Sequence, residues 1–68
     1  MRYAVEIRWQ DGWRFDGWAH PDGRYVTPVP ASYKTEAAAE EHADRVRAWG
    51  YTARVVPLEI GPGYWKRA

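Results

Sequence analysis

Polar and apolar positions alternate along residues 3–9, with Tyr3, Val5, Ile7 and Trp9 on one side and Ala4, Glu6 and Arg8 on the other. Period two over seven residues predicts a β-strand with one buried face. Gln10-Asp11-Gly12 interrupts the pattern, which resumes with Trp13 and Phe15 against Arg14 and Asp16 and runs on to Ala19. A second break, Pro21-Asp22-Gly23, precedes residues 24–29. A three-residue hairpin loop needs a left-handed residue where Gly12 and Gly23 stand, so the first half of the chain predicts a three-stranded meander. Setting Trp9 opposite Trp13 places Ile7 opposite Phe15 and Val5 opposite Gly17, and the apolar set shares one face. A two-residue Asp11-Gly12 loop would oppose Ile7 to Asp16 and mix the faces. The first register sets Arg8 against Arg14 and Glu6 against Asp16, and like charges directly opposite are unfavourable. A shift by two pairs Arg8 with Asp16 and keeps the same faces, so both registers stay open.

Pro28 and Pro30 cannot donate ladder hydrogen bonds, which makes the third strand an edge. Thr35 suits the N-cap of a helix that begins at Glu36 and continues through Ala37, Ala38 and Ala39. Ala39, Ala43, Val46 and Trp49 form its apolar stripe, with His42 on the flank. Acidic residues lie early and Arg45 and Arg47 late, as the helix dipole prefers. Gly50 fits the left-handed position that ends a helix, and Tyr51 can then pack back on Val46. Residues 52–58 read as a fourth strand ending near Pro57, and residues 61–68 as an irregular C-terminal tail. The expected fold is a single α+β domain over residues 1–60, in the order β-β-β-α-β. A helix between strands returns the chain parallel. The expectation is therefore a four-stranded mixed sheet of order 3-2-1-4. The helix covers its Tyr3/Val5/Ile7/Phe15 face, with Trp9, Trp13 and Trp49 in the core or at its margin.

A chain of 68 residues buries a modest share of its surface, so its core must be dense in large side chains. Aromatic residues make up 16% of it, which argues for a folded domain rather than a disordered segment. The absence of cysteine excludes disulfides and thiolate metal sites. No apolar run of signal-peptide or membrane-spanning length occurs, so a cytoplasmic protein is expected. The net charge of +1 does not by itself imply nucleic acid. Arginine supplies eight of the ten basic residues and alanine is frequent, a composition typical of a GC-rich genome.

The stretch from Thr35-Glu36-Ala37-Ala38-Ala39-Glu40-Glu41-His42-Ala43 through Trp49-Gly50-Tyr51-Thr52-Ala53-Arg54-Val55-Val56-Pro57 resembles the helix–Gly–strand half of SPOR domains, which bind peptidoglycan. The resemblance covers roughly a third of the chain; a SPOR domain has a second helix and works outside the membrane, and neither a second helical pattern nor an export signal is present. In size and style the chain also resembles small accessory proteins of actinobacterial phages, which implies a modulator of a host protein.

His20, Asp16 and Asp22 lie close in sequence, the residue types of an Asp–His base pair or a metal site. Their placement in a turn and on a solvated strand face reads more simply as surface chemistry. The glycines form no phosphate loop, and Ser32, the lone serine, has no adjacent base. No catalytic residue, metal ligand or cofactor is expected. The informative surface is the sheet face opposite the helix, which carries Ala4, Glu6, Arg8, Arg14, Asp16 and Trp18, then Arg54, Val56 and Leu58. An apolar patch of Trp18, Val26, Val56 and Leu58 would need a cover: the tail through Tyr64 and Trp65, a second copy in a homodimer, or another macromolecule. The expected function is a non-enzymatic protein-interaction module that uses Trp18, Arg8, Arg14, Tyr25 and Arg54. The alternative is nucleic-acid binding through the same Arg/aromatic face.

Overall fold

The computed structural model describes residues 1–20, 28–62 and 64–68. Its elements are β1 (Arg2–Trp9), β2 (Gly12–Phe15), β3 (Trp18–Ala19), β4 (Val29–Pro30), α1 (Glu36–Ala48), β5 (Ala53–Gly61) and β6 (Tyr64–Arg67). They form a four-stranded sheet of order β2-β1-β5-β6 and a separate two-stranded ribbon, β3-β4. Every described strand pair is antiparallel. The fold is α+β as expected, but the single mixed sheet of order 3-2-1-4 is overturned.

The cause is the segment after β2. Asp16 donates its backbone N–H to Val5, and the chain then leaves the edge of β1. It pairs Trp18 with Pro30 and Ala19 with Val29 in the ribbon, and Ala31 donates back to Gly17. At Tyr33 it rejoins the same edge, exchanging hydrogen bonds of 3.0 and 2.8 Å with Tyr3. Tyr33 therefore travels antiparallel to β1, as β2 does, and the excursion adds no net reversal. The helix runs back alongside β1, and β5 descends antiparallel to it. Strands β2 and β5 are parallel to each other with β1 between them, so the crossover rule holds for that pair. The second Asp-Gly break, at Asp22 and Gly23, lies outside the described residues.

The first hairpin also departs from expectation. Trp9 faces Gly12, Arg8 faces Trp13, Ile7 faces Arg14 and Glu6 faces Phe15. The loop is Gln10-Asp11, and Gly12, with φ +125°, absorbs the backbone twist as the first residue of β2. A one-residue change of register moves every side chain of β2 to the other face. Trp13 and Phe15 therefore lie opposite the helix, and Arg14 lies on the helix side.

The helix forms where its signals stand. Thr35 accepts a hydrogen bond from the Ala38 N–H at 3.1 Å. At the other end Gly50, φ +98°, donates to Arg47 and Tyr51 donates to Val46, the paired bonds of a Schellman turn. The Arg47 guanidinium donates to the Ala53 carbonyl at 3.2 and 2.9 Å and holds the helix-to-strand turn shut. Ala39, Ala43 and Val46 pack on Val5, Ile7 and Ala53, with Tyr3, Tyr33 and Val55 at the margin. Trp49 does not join that stripe and is 74% exposed.

Strand β5 runs past Pro57 because that residue is not asked for an N–H on the β1 side. Tyr3, its partner, directs both backbone groups to Tyr33. The tail is not irregular: Tyr64–Arg67 pair with Leu58–Gly61 as β6. No described helix is long and apolar enough to cross a membrane.

Candidate functional site

Two surfaces gather residues with binding chemistry. The first is the sheet face opposite the helix. Along β1 it presents Arg2, Ala4, Glu6 and Arg8; β2 adds Trp13 and Phe15, β5 adds Arg54, Val56 and Leu58, and β6 adds Arg67 and Trp65. Glu6 sits at its centre and is fully buried. Arg54 donates to one carboxylate oxygen at 3.0 and 2.9 Å, and Arg67 donates to both at 3.3 and 2.6 Å. Burial alone pushes the Glu6 carboxyl up, but the hydrogen bonds from Arg67 and Arg54 and their charges outweigh it and hold it below the ordinary glutamate range. The same contact raises the Arg67 guanidinium.

Aromatic rings interleave with these cations. The Arg54 guanidinium lies 3.9 Å over the Trp13 ring, Arg8 lies 5.8 Å from the same ring, and Arg67 lies 5.2 Å over Phe15. Phe15, Trp18 and Trp65 meet edge to face, with centroids 5.2 to 6.2 Å apart. Leu58, Ala4, Val29 and Pro30 are buried apart from the helix-side cluster. The chain's own tail thus packs against Trp18, the first of the three covers considered.

The second surface lies at the end of the molecule where the helix stops. Trp9 closes β1 on the helix side, Trp49 caps α1, and Tyr51 follows the Schellman glycine. Their side chains, with Ile7, Val46, Phe15 and Asp16, line an open depression of about 250 Å³. Trp9 and Tyr51 are 45% and 44% exposed, with ring centroids 5.9 Å apart. Asp16, at the rim, contacts His42 of the helix, and the Tyr33 ring lies 5.6 Å from that imidazole, tilted by 33°.

Of the residues expected to bind, Arg8 and Arg54 share the open sheet face and Trp18 packs at its edge. Arg14 is on the other side and pairs with Asp11 of its own hairpin. Tyr25 lies outside the described residues. Asp16 is with His42 rather than His20, and Glu6 is interior rather than solvated. The two registers left open by the sequence both put Trp13 and Phe15 on the helix side, and the one-residue shift puts them here. The sequence reading also missed Arg67, for which no local signal exists. No family model, curated protein or solved structure matches the chain.

Proposed function

We propose that this protein is a non-enzymatic interaction module that docks another protein at its aromatic end. The observation that supports this reading is the depression floored by Ile7 and Val46 and walled by Trp9, Trp49 and Tyr51. Exposed Trp and Tyr around an apolar hollow, with Arg14 and Asp11 nearby, are the residue types that dominate interface energetics. The sheet face proposed from the sequence is a weaker candidate for apolar docking, because Trp65 and the β3-β4 ribbon already occupy its apolar part. A partner would insert one or two apolar side chains into the hollow.

The test places a photo-cross-linking residue at Gln10, beside the depression, in wild type and in a Trp9→Ala/Trp49→Ala variant. Adducts formed in a cell lysate should disappear from the variant while its thermal midpoint stays within a few degrees of wild type. Sedimentation of the pure protein separates self-association from a foreign partner. Identical adducts from a folded double variant would refute the reading.

A further inference from the structure

We infer that the open sheet face is a second, independent site, and that it takes single-stranded nucleic acid. The inference does not rest on the aromatic end, which lies at the close of the helix and has only Phe15 of its lining in common with this face.

Among the described residues of the four strands, the cations on this face are Arg8, Arg54 and Arg67, which are exposed, and Arg2, which is half-buried and donates to the Ser32 hydroxyl and carbonyl at 2.6 and 3.1 Å. The carboxylates that would neutralise them are elsewhere: Asp16 contacts His42, Asp11 pairs with Arg14, and Glu59 pairs with Lys66 at 3.4 Å on the opposite face. Glu6 alone remains, buried and shared by two guanidiniums. The Glu6–Arg54–Arg67 triad therefore keeps one positive charge, and Arg8 and Arg2 bring the excess to three. An excess of three on one face stands out in a chain whose net charge is +1.

Charge alone would suit an acidic peptide equally. The rings favour nucleic acid. Trp18 is 55% exposed beside Phe15 and Trp65, and the outer face of Arg54, stacked on Trp13, offers a second planar platform. Bases stack on both indole and guanidinium planes, whereas Asp and Glu side chains use neither. Along β1, Arg2 and Arg8 are six residues apart, about 20 Å at the usual strand rise. A strand crossing the face would meet cation, ring and cation in turn.

The probe is a fluorescein-labelled dT oligonucleotide of about 12 nucleotides, within the site sizes of small single-strand binders. Wild type should bind saturably. With about three phosphates contacted, affinity should fall roughly 20-fold between 50 and 200 mM salt. Arg8 has no carboxylate partner among the described residues, so Arg8→Glu should weaken binding at least tenfold without disturbing the triad. Arg45→Glu makes the same charge change on the helix and should alter binding less than twofold. Arg8→Gln, a milder change, serves if Arg8→Glu does not fold and should weaken binding about threefold. An abasic oligonucleotide of equal length keeps the phosphates and loses the stacking, and should bind at least about fivefold more weakly. Four results would overturn the inference: no saturable binding, full retention by folded Arg8 variants, equal binding of the abasic strand, or equal binding of a poly-glutamate peptide of matched charge. The last would assign the face to an acidic protein segment instead.

Discussion

On one side of β1, Val5 and Ile7 meet Ala39, Ala43 and Val46 of the helix; on the other, Glu6, between them in sequence, meets Arg54 and Arg67. Both sets are buried, but they are held differently. The helix side is aliphatic contact, non-directional and dependent on volume. Small Ala39 and Ala43, both at 0% exposure, let the helix sit close on the sheet. The Glu6 side is directional. Its carboxylate is satisfied only when β5 and β6 are in register, because its partners come from 48 and 61 residues away. A buried ion pair is weak evidence of stability but strong evidence of a specified arrangement, since one partner without the other is costly.

The largest effect should come from breaking the aliphatic side. Val46→Asp places an unpaired carboxylate where exposure is 1%, at a cost of several kcal/mol, on the order of the stability of so small a domain. Circular dichroism should show no cooperative melt; a midpoint near wild type would disprove the helix docking described here.

The charged side should break asymmetrically. Arg54→Ala with Arg67→Ala strands the Glu6 carboxylate and should cost about 3 kcal/mol, the low end for buried pairs because both guanidiniums are half exposed. Glu6→Leu leaves two arginines that water can solvate and should stay within about 1 kcal/mol of wild type. Urea titrations of the two variants measure the difference, and equal losses would mean that the triad does not act as a unit.

The same triad sets an acid dependence. The carboxyl of Glu6 is held lower in the folded chain than in the unfolded one. Its stabilisation is therefore complete above the unfolded value, about 4.3, and disappears as pH falls through the lower folded value. The stability gap between wild type and Glu6→Gln should be constant from pH 6 to about pH 5 and narrow below about 4.3. A gap that persists unchanged to pH 2 would contradict the assignment.

The smallest effect belongs to neither face. Gly50→Ala meets no atom within 4 Å but keeps a positive φ, so it should cost about 1 kcal/mol through the backbone alone. A melting curve indistinguishable from wild type would argue against the Schellman turn.

The site was partly legible for a definite reason. Strand parity put Arg8 and Arg54 away from the helix, because period two survives any even shift of register, whereas Trp18 reaches that side through the β3-β4 ribbon rather than through parity. Parity failed for Arg14, Trp13 and Phe15 because one residue in a hairpin loop inverts a strand. The sequence argument sent aromatics to the helix face on the premise of a single core, whereas Phe15, Trp18 and Trp65 build a cluster on the other side. The register adopted removes both like-charge oppositions, but so would the shift by two, so electrostatics alone could not select the odd shift that inverts β2.

Local chemistry by itself determined the first strand, the helix from its Thr35 cap to its Gly50 stop, and the strand that follows, because caps and periodicity act over four residues or fewer. The tertiary structure alone decided that Trp18–Ala19 and Val29–Pro30 form a ribbon apart from the main sheet, that the tail is a strand, and that Glu6 is interior. Two of those depend on groups far apart in the chain, Tyr3 with Tyr33 and Glu6 with Arg54 and Arg67, while the tail strand pairs in a hairpin that puts Leu58 opposite Arg67. Long-range pairs of this kind leave no periodic trace, since their free energy exists only after the chain has closed on itself.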